Sequence, residues 1–211
     1  MTAVLNRLPD TISGVVVAQA PEDLHRISDA GCGGVIWHRQ PLAGFQSWID
    51  AVNPDHLPSA RLLLRPQAVR DAMTTLCEAA QTPENPQRMR LIDDIAALAE
   101  IFANVMQTTF IRLRLEKVTR NACHKFHADA ITARLICTYR GPGTQYGVSG
   151  DHTDPDRIFT APTGAPIVLR GSRWPQNPAS GLLHRSPPIE GTGETRLVLV
   201  LDPVLDGENI V

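Results

Sequence analysis

His127 and Asp129, two apart in the string CHKFHAD (Cys123 to Asp129), are the residues of this chain best placed to do chemistry. Side chains two apart on an extended strand point the same way. One imidazole and one carboxylate can therefore meet at a single metal ion. A third ligand has to come from a distant stretch, and His184 in Leu182-Leu183-His184-Arg185 is the candidate. Two histidines and one acid on one face leave coordination positions open, the arrangement that suits Fe(II) in non-haem oxygen chemistry. Twelve residues on, Arg196 opens the run RLVLVLD that ends at Asp202. A guanidinium there can grip a carboxylate through two parallel hydrogen bonds.

Other readings of the same residues stay open. His127, Asp129 and His184 can hydrogen-bond one another without a metal, although a buried carboxylate is costly unless paired or coordinated. Cys123, His127 and His184 would make a softer, zinc-suited site. Cys123 and His127 lie about 13 Å apart on a regular strand, so a bend would be needed. His124 has odd spacing from His127 and should face away. Arg196 can equally pair with Glu194 or Asp202. Arg134 and Tyr139 follow Asp129 on the next strand, Arg134 as a cofactor-binding candidate and Tyr139, with Arg196, as a catalytic one. Their five-residue separation puts them on opposite faces, so at most one lines a pocket unless a bulge intervenes. Arg134, five past Asp129, is likewise out of phase with the ligands. A second H-x-D at His152 and Asp154 sits beside Pro155 among glycines and reads as a solvated turn. Gly141-Pro142-Gly143-Thr144 lacks the following helix of a phosphate loop, and Cys137 lies in an apolar run suited to a core.

The elements that must position these residues change character along the chain. Residues 1–86 look mixed, with apolar runs at GVVVA (Gly14 to Ala18) and GGVIW (Gly33 to Trp37). Helical stretches are expected over 21–30, opened by Pro21-Glu22-Asp23, over 41–52, and over 66–80 with Val69, Met73, Leu76 and Cys77 at helical spacing. TPENP (Thr82 to Pro86) is a linker. Beyond it, 87–106 sets Ile92, Ile95, Leu98, Ala99 and Phe102 along one side of an amphipathic helix. From Thr108 the period becomes two: Phe110, Arg112, Arg114 and Glu116 alternate with Ile111, Leu113, Leu115 and Lys117. Strand-like runs follow at 132–139, 157–161, 166–170, 181–185 and 196–201, separated by glycine-rich turns. The expected fold is α+β: a mixed front region over 1–86, then over 87–211 a helix and a double-stranded β-helix, the cupin-like jelly-roll barrel.

Composition bounds the rest. Hydrophobic residues make up 43%, enough for a sizeable core, and the formal charge of -2 lacks the footprint of a general nucleic-acid binder. No apolar run approaches the roughly twenty residues of a membrane span. The opening MTAVLNRLPD does not follow the order of an export signal. Cys32, Cys77, Cys123 and Cys137 are scattered, which suits reduced thiols in the cytoplasm. The expected partner is a small-molecule substrate or a metal ion, with neither nucleic acid nor membrane.

The order H-x-D, an intervening strand, a distal His and a late Arg is similar to that of the 2-oxoglutarate, Fe(II)-dependent dioxygenases. That likeness implies iron at His127, Asp129 and His184 and the 2-oxoglutarate carboxylate at Arg196. More specifically, CHKFHAD, RLICTYRGPGTQY and GLLHRSPPIEGTGETRLVLVLD resemble, in that order, the signature blocks of a bacterial family, domain of unknown function 1826. The residues from Gly147 to Pro162 depart from its pattern. The family resemblance implies a link to metal homeostasis, and with it a second reading: a non-catalytic, zinc-binding protein.

Overall fold

The computed structural model of the protein describes residues 14–41, 44–149, 153–175 and 180–204. Alternation along β4 (Phe110–Val118) buries Ile111, Leu113 and Leu115 on one face and gives Arg112, Arg114 and Glu116 to the other. β5 (Ala133–Arg140) divides in the same way: Leu135, Cys137 and Tyr139 on one side, Arg134, Ile136 and Thr138 on the other. Between these two lies β10 (Arg196–Val204), antiparallel to both and buried along its whole length. A strand covered on both faces accounts for its nearly continuous apolar run.

The remaining strands come from both halves of the chain. β1 (Val15–Ala18), β2 (Gly34–Trp37) and β3 (Ala60–Leu64) belong to the front region, and β8 (Ile167–Arg170) follows β5. Together they form one seven-stranded sheet in the order β1-β2-β8-β5-β10-β4-β3. Only the β1–β2 pair in it is parallel. The compositional division at residue 86 therefore falls within a single sheet, whose two edges are both supplied by front-region strands. A smaller sheet has the order β7-β6-β9, from Phe159–Thr160, Gln145–Val148 and Leu182–Arg185.

Two apolar cores flank the large sheet. On one side it packs on α1 (Phe45–Ala51), α2 (Val69–Ala79) and α3 (Pro86–Met106) through Leu113, Leu135, Leu199 and their neighbours. α3 starts where Asn85 accepts hydrogen bonds from the amides of Gln87 and Arg88, with Pro86 preset for the first helical position. Its Ile92, Ile95, Leu98, Ala99 and Phe102 are buried, as their spacing requires. The second core lies between the sheets: Ile136, Val198 and Val200 meet Tyr146, Phe159 and Leu182. Each fully buried side chain of this size contributes about 2 kcal/mol, so both faces of the large sheet are held.

Some elements differ from expectation. The stretch after Pro21 forms a 3-10 helix, Pro21–Ser28, which buries Leu24 and Ile27. The helix expected from 41 begins at Phe45, after Gly44 turns the chain at φ 82°. No described helix is long and apolar enough to cross a membrane.

Candidate metal centre

The segment 123–129 lies along the outer edge of β9. His127 and His184 form an antiparallel bridge, each amide donating to the other's carbonyl at 3.0 Å. Directly opposed residues on paired strands share a face. On the other side of His184 stands Tyr146, its partner in β6 and a member of the core between the sheets. Both imidazoles are thereby turned into that interior, with ring centroids 4.6 Å apart. Asp129, two residues on, follows the same parity.

The three side chains converge. One ligand atom from each of His127, Asp129 and His184 lies within 4.8 Å of the others. Asp129 Oδ1 is 3.6 Å from His127 Nε2, and Oδ2 is 3.1 Å from His184 Nε2. Despite that short distance, Oδ2 is a buried oxygen without a hydrogen-bonded partner among the described residues. The three ligand atoms thus border one common space. A cation there would satisfy the orphaned oxygen.

Surrounding groups prepare the trio. The Lys125 carbonyl, 2.8 Å from His127 Nδ1, can only accept, so Nδ1 carries a proton and, in the neutral ring, Nε2 keeps its lone pair. Burial alone would raise the Asp129 carboxyl. The two imidazoles and the Arg134 guanidinium outweigh it and hold Asp129 well below the usual carboxylate range. His127 is shifted upward, chiefly by Asp129. Burial pushes His184 downward, which favours the neutral ring a metal needs. Behind Asp129, Ser172 N donates to its carbonyl at 2.8 Å and Gly171 N to that of Thr132 at 2.8 Å. A side chain at 171 would put Cβ 2.0 Å from the Ile131 carbonyl oxygen, so only glycine allows this close approach.

Arg134 sits on the site side of β5, beside Asp129 rather than out of phase with it: Nη1 is 2.5 Å from Asp129 Oδ1. The chain bends at 130–132, and strand parity does not carry across a bend. The Arg134 guanidinium, a cofactor-binding candidate in the sequence, is engaged by two carboxylates. Nε and Nη2 donate to the two oxygens of Asp202 at 2.7 and 2.8 Å, and Arg114 reaches the same carboxylate at 3.4 Å. This Asp202–Arg134–Asp129 chain, unforeseen in the sequence, fixes the orientation of the ligand carboxylate.

Tyr139, a catalytic candidate in the sequence, lies apart from the trio. Alternation places it on the helix side of the large sheet, where its hydroxyl donates to Asp94 Oδ2 at 2.7 Å. Asp94 is in turn gripped at two points by Arg39. These residues border a separate cavity of about 400 Å³ near α1 and α3.

Arg196 is buried, with only 1% of its surface exposed. It lines a narrow cavity of about 80 Å³ together with His127, His184, Thr144 and Val198. Its Nε donates to the Pro142 carbonyl at 2.7 Å and Nη2 to Thr138 Oγ1 at 3.3 Å. Neither Glu194 nor Asp202 makes an ion pair with it; Asp202 belongs to Arg134 and Arg114. Burial lowers its pKa to about 10, which still leaves a cation at neutral pH. Cys123 lines the same cavity but is not among the convergent ligand atoms. Of the second H-x-D, His152 lies outside the described residues.

The family described as protein of unknown function, DUF1826, matches residues 18–202. Among solved structures, the chain is similar to dioxygenase for auxin oxidation 1 from Arabidopsis thaliana in its 2-oxoglutarate binary complex. The TM-score is 0.53 at 13% identity, covering 94% of this chain and 95% of that one. It is also similar to the dioxygenase for auxin oxidation in rice, with TM-score 0.51, 12% identity and coverage of 93% and 84%. At such identities the likeness concerns the fold. No curated protein matches the sequence.

Proposed function

The chain belongs to the DUF1826 family, and from that premise we propose that it is a non-haem Fe(II) oxygenase using 2-oxoglutarate to oxidise a small molecule. The observation that carries the reading is Asp129 Oδ2, buried and without a hydrogen bond between two convergent imidazoles. Two histidines and one carboxylate suit iron and leave positions for further ligands. The two sheets, sharing one core, would be the halves of a double-stranded β-helix.

In this reading His127, Asp129 and His184 hold the iron, and Arg134 keeps the Asp129 carboxylate turned toward them. Arg196 binds the distal carboxylate of 2-oxoglutarate, since a buried guanidinium without an acidic partner is matched by an incoming acid. Iron held by the trio, with 2-oxoglutarate and dioxygen as co-substrates that leave as succinate, CO2 and the inserted oxygen atom, would supply the power to oxidise an unactivated C–H bond. Val198 and Val200 beside the cavity exclude bulk water, which strengthens each charged contact inside. We place the protein in the cytoplasm, where reducing conditions suit its four free thiols.

Arg196 also favours this reading over simple zinc storage, which has no use for a buried cation in the same cavity. The test is elemental analysis of the purified protein, followed by anaerobic Fe(II) loading and assay of 2-oxoglutarate conversion to succinate. Stoichiometric iron binding with succinate formation supports the proposal. Tightly held zinc with no turnover under any loading supports the non-catalytic, metal-homeostasis reading instead.

A further inference from the structure

The cavity behind the trio continues outward. Glu116, Val118 and Ala122 border both it and a groove of about 530 Å³ between the start of β3 and the end of β4. The outer groove carries Arg61, Lys117 and Arg120. Arg114, Arg134, Arg185 and Arg196 line the inner cavity. Against these seven cations stands one carboxylate, Glu116, among the described lining residues. The whole chain has 20 basic and 22 acidic residues, so the joined cavities depart sharply from its average.

Partners behind the lining remove part of this charge. Arg134 and Arg114 are paired to Asp202, and Arg61 to Glu116 at 2.6 Å. Lys117 lies 3.7 Å from Asp55, which is itself largely exposed. Arg120, Arg185 and Arg196 have no carboxylate partner among the described residues. Arg185 is held in place nonetheless: Nε donates to Gln145 Oε1 at 2.8 Å and the guanidinium lies 4.4 Å over the Phe126 ring. Arg196 is taken by 2-oxoglutarate in the reading above. Arg120 in the outer groove and Arg185 at the inner cavity remain, and a cleft between low-dielectric walls concentrates their field.

We infer that this groove is the substrate channel and that the substrate is a small anion bearing a phosphate or carboxylate group. Arg120 holds the anionic group, with Lys117 alongside. Arg185 guides the rest of the molecule inward toward His127 and His184. Calling the anion a substrate rests on the oxygenase reading, whereas anion binding by the groove does not.

The two claims separate in one experiment on the full chain. Inorganic pyrophosphate and citrate, representing the two anionic groups, are titrated calorimetrically into metal-free protein at low ionic strength, where surface charges are least screened. The variants are Arg120→Ser, Arg185→Gln and, as a charge-removal control on α3, Arg90→Ser. Zn(II) affinity is measured on each. Loss of one charge-assisted contact should weaken the better-bound anion about tenfold in Arg120→Ser and in Arg185→Gln. Arg90→Ser should bind as wild type, and Zn(II) affinity should hold in all three. The tighter of the two anions identifies the group recognised. The inference is overturned if neither anion binds, if both groove variants bind like wild type, or if the control weakens equally. Anion binding in a protein that takes no metal would keep the groove and refute the metal reading.

Discussion

Asp129→Ala removes the carboxylate that both imidazoles face, and its effect can be worked out in advance. A metal at a hundred times its Kd stabilises the folded chain by about 2.7 kcal/mol. In a domain of about 200 residues each kcal/mol moves Tm by about 2–4 °C, so the wild type should gain about 5–10 °C. Losing one of three ligands should weaken binding at least about a hundredfold, which brings the same metal concentration down to Kd. The remaining gain is then about 0.4 kcal/mol, below about 2 °C. The metal-free variant should fold, because Arg134 keeps its two-point pairing with Asp202 and no bare cation is left behind. Differential scanning fluorimetry with and without Zn(II) reads both quantities. An undiminished metal-induced shift in Asp129→Ala would refute the reasoning.

Four further outcomes are expected. Arg196→Met should weaken 2-oxoglutarate binding at least about tenfold while leaving Zn(II) affinity unchanged. Parallel loss of both, measured by calorimetry, would point to a general structural role instead. Gly171→Ala drives a Cβ to 2.0 Å from the Ile131 carbonyl oxygen. It should cost about 1–3 kcal/mol in urea unfolding and about tenfold in metal affinity; normal values of both would count against the close approach. Tyr139→Phe should lose about 1 kcal/mol of stability with its bond to Asp94 and leave metal affinity as it is. A fall in affinity would tie Tyr139 to the metal site. At acid pH, the depressed carboxyl of Asp129 contributes stability that is complete above its unfolded value of about 4 and is lost as pH falls toward the lower folded value. Below about pH 4, metal-free wild type should therefore lose more stability per pH unit than Asp129→Asn. Equal slopes would contradict the assigned charge state.

Features carried by local periodicity were legible in the sequence. The alternation of β4, the apolar run of β10 and the buried stripe of α3 each fix a face before any neighbour is known. Parity also brings His127 and Asp129 together, and chain order supplies His184, whose ligand atoms the structure gathers within 4.8 Å. Short strands were harder. Ala60–Leu64 and Gln145–Val148 are strands because β4 and β9 offer them hydrogen-bonding edges, not because their own pattern demands it. The phase of Arg134 was lost at the bend before β5. Its bond to Asp202 depends on cross-strand register between β5 and β10, which no single segment encodes. The cationic groove joins residues from β3, β4, the segment after β4 and β9, so its charge appears only once those elements are assembled.

The oxygenase reading depends on one cation seated among three side chains. The most direct measurement is anomalous diffraction from Fe(II)-loaded crystals, collected across the iron and zinc absorption edges. The account predicts one iron peak about 2.0–2.2 Å from Nε2 of His127, Nε2 of His184 and an Asp129 carboxylate oxygen. A peak elsewhere, or none with the Asp129 carboxylate turned from both rings, would contradict it.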